Sequence, residues 1–308
     1  MGLRVFLTGA SGYLGSVLTE HLAQVPEIER ITGIDVAAPT TPLPPKVGYV
    51  EMDIRSPDLA DAMAGHQVVV HTAFVIWWLA KMPMAERDDI NLNGVRNVAQ
   101  GAVASKVRRF VHTSSIAAYD REAVRGRENV TEGFPIGKGD SPLYYWNGKA
   151  VSERILVDVL ASSGVTLTIL RPSKVIGPRN TMTVSGFRNN AVRYPGRDPR
   201  FQFVHEEDVA AAFAQAVCAD MSGSYNVVPD DHVRWSQAQE IIGLRSAPTV
   251  PAWLARLVMG IRWRYLNSPT HPSWYDHTLV DHTASNAKLK ATGWCPRYGS
   301  AQALHTAL

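Results

Sequence analysis

Tyr145 and Lys149 lie four residues apart on a stretch that reads as a helix from about Pro142, so they share one helix face. That spacing has a chemical use. A tyrosine at its ordinary pKa of about 10 is a poor base at neutral pH. A neighbouring ammonium favours the phenolate and lowers that value. Such a tyrosine can take a proton from a substrate hydroxyl or return one to a carbonyl. Ser115 follows the strand-like run Arg109-Phe110-Val111-His112-Thr113 and would hold the same oxygen from the other side. Tyr144 competes for the role, but its neighbour four residues on is Gly148, which carries no charge. Taken alone, Y-x-x-x-K more often marks an exposed helix pair. A serine at an upstream strand end, behind the glycine-rich turn of residues 7–15, reverses that preference.

The turn is Leu-Thr-Gly-Ala-Ser-Gly-Tyr-Leu-Gly at residues 7–15, between an apolar strand and a helix over Tyr13–Gln24. Gly9 permits a sharp turn, Gly12 lets a pyrophosphate approach the backbone, and Gly15 lets the helix sit close to the sheet. Ser11, Tyr13 and Leu14 belong to the same anion-binding segment, where backbone N–H groups and the helix dipole favour negative charge. Asp35 ends the second strand, twenty residues past Gly15. There a carboxylate accepts hydrogen bonds from an adenosine ribose and repels a 2′-phosphate. Val36, Ala37 and Ala38 bring no basic residue, so NAD is expected over NADP. Asp53 would hold the adenine amino group beside Ile54, or serve as an N-cap or turn aspartate before a helix from Pro57. Both readings stay open. Thr72 and Ala73 end the fourth strand and would line the same crevice.

With these residues in place, the chain resembles an extended short-chain dehydrogenase/reductase, the group that includes sugar-nucleotide epimerases. The resemblance runs through Thr8–Gly15, Asn91-Leu92-Asn93-Gly94, Ser114-Ser115-Ile116-Ala117-Ala118-Tyr119, Arg171-Pro172 to Gly177-Pro178, Phe203-Val204-His205 to Asp208-Val209-Ala210, and Gly293-Trp294-Cys295-Pro296. It implies Ser115, Tyr145 and Lys149 as the catalytic set. Asn91 would support the site, Lys149 would also reach the nicotinamide ribose, and Pro172 would lie against the nicotinamide. It also implies a homodimer paired through helices over Glu86–Ser105 and Pro142–Ser163, whose stripe Ile155, Leu156, Val159 and Leu160 equally suits an internal core. Two departures inform the substrate. Ser115 is followed by Ile116-Ala117 rather than an acidic pair, which disfavours dehydration. Phe201 stands where many relatives carry an arginine for a substrate pyrophosphate, with Arg200 one residue further from the histidine.

The elements that must position these residues alternate as strands and helices through about Arg171. The expected fold is therefore α/β, a Rossmann-type doubly wound parallel sheet. Residues 1–171 would bind NAD, 204–228 would return to that domain, and 172–203 with 229–308 would form a smaller substrate-binding part. Phe74, Trp77, Trp146 and Ser173 are the candidate substrate contacts, with the run Phe74–Leu79 as an apolar wall. The composition, 308 residues with 45% apolar, allows a large core. A dispersed net charge of +3 gives no case for nucleic acid. No run is long enough to span a bilayer, so no membrane partner is expected. Cys218 and Cys295 form no framework, and the chain enters its first strand without a leader-like stretch, so a cytoplasmic location is expected. His271, His277 and His282 with Asp276 and Asp281 fit no zinc spacing, and no metal is expected. The leading reading is an NAD-dependent oxidoreductase for a secondary alcohol or ketone. Beside it stand a nucleotide-sugar 4-epimerase that retains NAD and a non-catalytic NAD-binding sensor or scaffold.

Overall fold

The computed structural model describes residues 2–76, 82–140, 143–189, 192–244, 247–266, 280–281 and 283–308. In chain order the elements are β1 (Leu3–Thr8), α1 (Tyr13–Ala23), β2 (Ile28–Asp35), β3 (Val47–Glu51), α2 (Leu59–Met63), β4 (Val68–His71), α3 (Met84–Asp88), α4 (Gly94–Ala104), β5 (Arg109–Thr113) and α5 (Tyr144–Leu160). After these come β6 (Thr166–Pro172), β7 (Lys174–Ile176), α6 (Thr181–Asn189), β8 (Arg200–Phe201), β9 (Phe203–His205), α7 (Glu206–Cys218), β10 (Gly223–Val227), β11 (Val233–Arg234), α8 (Trp235–Ile241) and α9 (Ala252–Tyr265). Two short helices, α10 (Ala287–Lys290) and α11 (Ser300–Thr306), close the chain.

Seven strands form one parallel sheet in the order β10-β6-β5-β4-β1-β2-β3, the doubly wound arrangement expected from the alternation. A parallel sheet is covered on both faces, so its strands are apolar at successive positions. Val5, Leu7, Val68, Val70, Val111 and Leu170 turn to one face and meet α1 and α7 through Leu18, Leu22, Val209 and Phe213. Phe6, Val69 and Phe110 turn to the other face and meet α2, α4 and α5 through Met63, Val98 and Leu156. Ile155, Leu156 and Leu160 belong to this second core, so most of the stripe considered for pairing two copies is spent inside the chain. A separate cluster joins Ile176, Phe201, Phe203, Val233, Trp235 and Leu304 around the small strands and α8.

In register, Thr8 lies beside Ile34 and His71, His71 beside His112, and His112 beside Ile169. The carboxyl ends of these strands therefore finish together. Strand order reverses at β1, which is where open α/β sheets form their ligand crevice. The stretch expected as one helix over Glu86–Ser105 is interrupted. A π-helical turn at Asp89–Asn93 separates α3 from α4 and carries Asn91 inward. Such turns widen the backbone by one residue and often occur at functional sites.

Candidate active site

The glycine turn sits at the carboxyl end of β1. Gly9 has φ +74°, and its N–H donates to Ile34 O at 2.9 Å. A Cβ on Gly15 would run into the Gly9 carbonyl oxygen, so only glycine lets α1 start this close to the turn. Gly12 caps α1, and a Cβ there would press on Gly9 O at 3.3 Å, closer than ordinary van der Waals contact. Beside it, the Ser11 Oγ is buried without a partner. A glycine cradle that a Cβ would crowd, with an unpaired hydroxyl at a helix N-terminus, fits a dinucleotide pyrophosphate. Leu14 packs on the adjacent core, and the Tyr13 hydroxyl donates to Glu206 at 2.5 Å. Burial and the Glu206 carboxylate raise the Tyr13 phenol well above its usual value.

Asp35 ends β2 facing this turn. Its carboxylate accepts from Ser11 N at 3.1 Å and Ala37 N at 3.2 Å. Two carboxylate oxygens offer about four acceptor positions, so capacity remains for ribose hydroxyls. Asp53 is differently engaged. Arg55 grips it through backbone N–H and guanidinium at 2.6–3.2 Å, and the guanidinium holds its carboxyl below the usual range. Ile54 is buried against Gly94. The Thr72 hydroxyl donates to Thr8 O at 2.7 Å, and Ala73 lies against Gly9.

Ser115, Tyr145 and Lys149 converge beyond β5. Ser115 caps a short 3-10 turn at Ile116–Ala118, its Oγ accepting from Ala117 N at 3.1 Å and lying 3.4 Å from Pro172 O. Tyr145 hydrogen-bonds Ser115, which opposes the rise that burial imposes on its phenol; burial prevails. The sequence reading expected Lys149 to lower that phenol. Here the Lys149 ammonium instead donates to Thr113 O at 2.9 Å and stands 5.8 Å from the Tyr145 ring. The Phe74 ring covers the ammonium at 3.9 Å and meets Tyr145 edge-on at 5.7 Å. Burial drives Lys149 down to about 7, with Glu153 acting against the fall. Phe74 reaches this position because residue 148 is glycine; a Cβ there would lie 2.8 Å from its ring. Trp146 is buried beside Ala117 and Leu143. Asn91 spans the backbone after β4, accepting from Val75 N at 2.7 Å and donating to Val75 O at 2.9 Å and the Tyr144 hydroxyl at 2.5 Å.

Behind the three lies a polar layer in which Ser114, Arg171 and Ser173 belong to the readings above, whereas Glu153, His71 and His112 are singled out only by the structure. The Arg171 guanidinium grips Glu153 at 2.9 and 2.6 Å, both side chains buried, and Ser114 donates to the same carboxylate. Glu153 falls four residues after Lys149, a charge spacing visible in the chain. His71 and His112 stack at 5.5 Å; burial lowers His71 to about 3 and His112 well below its usual value. Ser173 is buried, its hydroxyl unpartnered, with its N–H donating to Val227 O at 3.2 Å.

Phe201 is fully buried in the smaller core, and Arg200 is taken by Asp281 at 2.8 Å and Glu128 at 2.6 Å. Trp77, His271, Asp276, His277 and His282 lie outside the described residues. Among the described residues no cluster of potential ligands could hold a metal ion. Cys218 and Cys295 are free thiols.

A doubly wound parallel sheet with a glycine turn at its switch point, and Ser, Tyr and Lys converging beyond the fifth strand, defines a class: enzymes of the extended short-chain dehydrogenase/reductase type. The family model "NAD dependent epimerase/dehydratase family" matches residues 5–227, and the chain belongs to that NAD-dependent family. An uncharacterized protein of Mycobacterium tuberculosis is 30% identical over 264 residues, 80% of this chain; the chain spans 66% of that relative's length. Sterol demethylase protein B of Methylococcus capsulatus is 30% identical over 75% of this chain and 70% of its own. A 3-beta-hydroxysteroid dehydrogenase of Mycolicibacterium neoaurum is 27% identical over 56% of this chain and 48% of its own. In fold, the chain is similar to Thermus thermophilus UDP-glucose 4-epimerase complexed with NAD (TM-score 0.75, 24% identity, 99% of this chain and 97% of that one). It is likewise similar to MoeE5 in complex with UDP-glucose and NAD (TM-score 0.75, 19% identity, 99% and 97%).

Proposed function

We propose that this protein moves a hydride between NAD and a secondary alcohol or ketone carbon of an apolar substrate. The observation that carries the reading is the meeting of Ser115, Tyr145 and Lys149 beside the glycine turn. NAD, when bound, supplies the hydride acceptor or donor. Gly9 to Gly15 would hold its pyrophosphate, Asp35 its adenosine ribose, and Thr72, Ala73, Asn91 and Pro172 the walls toward the nicotinamide. Asp53 is a weaker contact because Arg55 already occupies its carboxylate. Tyr145 takes the substrate hydroxyl proton in oxidation and returns it in reduction. Ser115 holds the same oxygen and sets its distance. Lys149, turned from Thr113 O toward the ribose and phenol, favours the phenolate by its charge. Residues 1–171 with 204–228 serve the cofactor in this reading; 172–203 and 229–308 serve the substrate.

Three observations favour an apolar substrate. Phe74 and Trp146 flank Tyr145. Phe201 lies inside a core, and Arg200 is bound to two carboxylates, so neither is set to hold a pyrophosphate. One relative carries a sterol and another a hydroxysteroid in its name. The second reading, a nucleotide-sugar 4-epimerase, draws on the likeness to UDP-glucose 4-epimerase. Incubation with NAD and a panel of hydroxysteroids, against UDP-galactose, separates them. Net NADH from a hydroxysteroid is expected; UDP-glucose formed without net NADH would establish the epimerase instead. No turnover with either, despite tight NAD binding, would favour a sensor. Calorimetry is expected to show NAD binding more tightly than NADP, and the reverse would remove Asp35 from its role. A cytoplasmic homodimer belongs to this reading. Its pairing would use outward positions of α5 such as Val157, 52% exposed, and light scattering tests it.

A further inference from the structure

Among the described residues, eleven large apolar side chains are exposed, and six of them lie on α9 or its C-cap residue, Leu266. Trp253, Leu257, Val258, Ile261, Tyr265 and Leu266 range from 45% exposed (Val258) to 71% (Tyr265). Trp253, Leu257, Ile261 and Tyr265 repeat every fourth residue, so they form one stripe along the helix. The opposite side, Ala255 and Met259, is buried against Tyr194. Helix α9 is therefore anchored by one face and offers the other outward.

The charges on this helix have one sign. Arg256 and Arg262 fall at the two borders of the apolar stripe, and Arg264 lies within its angular range at the far end, its guanidinium 5.8 Å from the Tyr265 ring. No Asp or Glu occurs anywhere between Glu240 and Asp276. An apolar stripe of Trp, Leu, Ile and Tyr bordered by arginines, with no acidic residue, is the pattern of a helix lying in a membrane interface. Aromatic rings suit the headgroup level, and arginine stems lie along apolar surface while their heads reach phosphates.

We propose that the outward face of α9 docks on an anionic lipid surface, holding the enzyme at the membrane without crossing it. No helix of the described residues is long and apolar enough to span a bilayer, and an interfacial helix needs no such length. The proposal does not depend on the substrate reading above.

Flotation of the full chain with phosphatidylcholine vesicles, with and without phosphatidylglycerol, tests it. The protein is expected to float with the anionic vesicles. Leu257→Glu with Ile261→Glu should abolish flotation, both positions being solvent-facing. Arg256→Glu, Arg262→Glu and Arg264→Glu together should weaken partitioning by at least about 10²-fold, since each arginine near such a surface contributes about fivefold. Unchanged NAD binding in each variant verifies its fold. If a variant fails that check, the wild-type comparison between the two vesicle compositions decides. No flotation of the wild type, equal flotation with both lipids, or flotation unaffected by folded variants overturns the proposal. So does a dimer, seen by light scattering, that Leu257→Glu with Ile261→Glu dissolves while vesicles bind neither form; that face would then pair two copies.

Discussion

At the scale of single residues, two adjacent tyrosines have separate work. Tyr145 bonds Ser115, while the Tyr144 hydroxyl accepts from Asn91 and helps pin the backbone after β4. Tyr145→Phe keeps the ring and its edge contact with Phe74. It is expected to cut turnover by about 10²-fold or more with NAD affinity nearly intact. Tyr144→Phe is expected to lower stability by about 1 kcal/mol in urea titration and leave the rate within a few-fold. Equal loss of turnover in both variants would remove Tyr145 from the proton relay. Phe74 acts on Lys149 through its ring face. Phe74→Leu keeps an apolar side chain of smaller volume and removes that face, so the Lys149 pKa is expected to fall further, by up to about one unit. A 13C-lysine titration, with the resonance assigned by its loss in Lys149→Met, reads this directly. An unchanged titration would show that the contact does not tune the ammonium.

At the scale of elements, β4 and β5 bring His71 and His112 side by side inside the sheet layer. Burial holds both neutral in the folded chain, while the unfolded chain protonates them near 6.5. The unfolded state thus binds more protons between about 3 and 6.5 for His71, so stability is lost as pH falls through that window. Each histidine contributes a slope of about 1.4 kcal/mol per pH unit. Lys149 works in a higher window. Its folded value of about 7 lies below the usual 10.5, so stability rises with pH between them. Neither ring nitrogen of His112 has a partner. His112→Leu is therefore expected to flatten the slope between about pH 5 and 6.5 by that amount without lowering the urea midpoint at neutral pH. A slope equal to wild type would show that His112 is protonated in the folded state.

At the scale of the whole molecule, the last turns of the chain are tied to α7. Buried Asp208 accepts from Arg297 N at 3.0 Å and Tyr298 N at 3.1 Å, while Trp294 Nε1 donates to Asp208 O at 3.0 Å. The same helix begins with Glu206, which receives the Tyr13 hydroxyl from the glycine turn. One helix thus links the start of the chain, its middle and its end. Asp208→Ala leaves two backbone donors without their acceptor and is expected to cost about 2–4 kcal/mol. The urea midpoint should fall, with NAD affinity largely kept. A variant as stable as wild type would show that the closing segment contributes little to the fold.

The sheet was legible in the chain because both its signals are local. Apolar runs such as Val68-Val69-Val70 mark strands covered on two faces, and the glycines at 9, 12 and 15 follow from backbone sterics within one turn. Ser115, Tyr145 and Lys149 could be selected for the same reason, since a helix face and a strand end are short-range geometry. What depended on distant neighbours could not be read. Arg55, which grips Asp53, is itself held by Asp89 from another element, and the helix expected over Glu86–Ser105 breaks at a π turn that carries Asn91 to Val75 and Tyr144. The environment of Lys149 is the clearest case. Its spacing from Tyr145 belongs to the sequence alone, but the fold decides that Phe74 covers it and Thr113 holds it. Burial among groups from other elements then sets its charge, because desolvation depends on everything packed around a side chain and not on its neighbours along the chain.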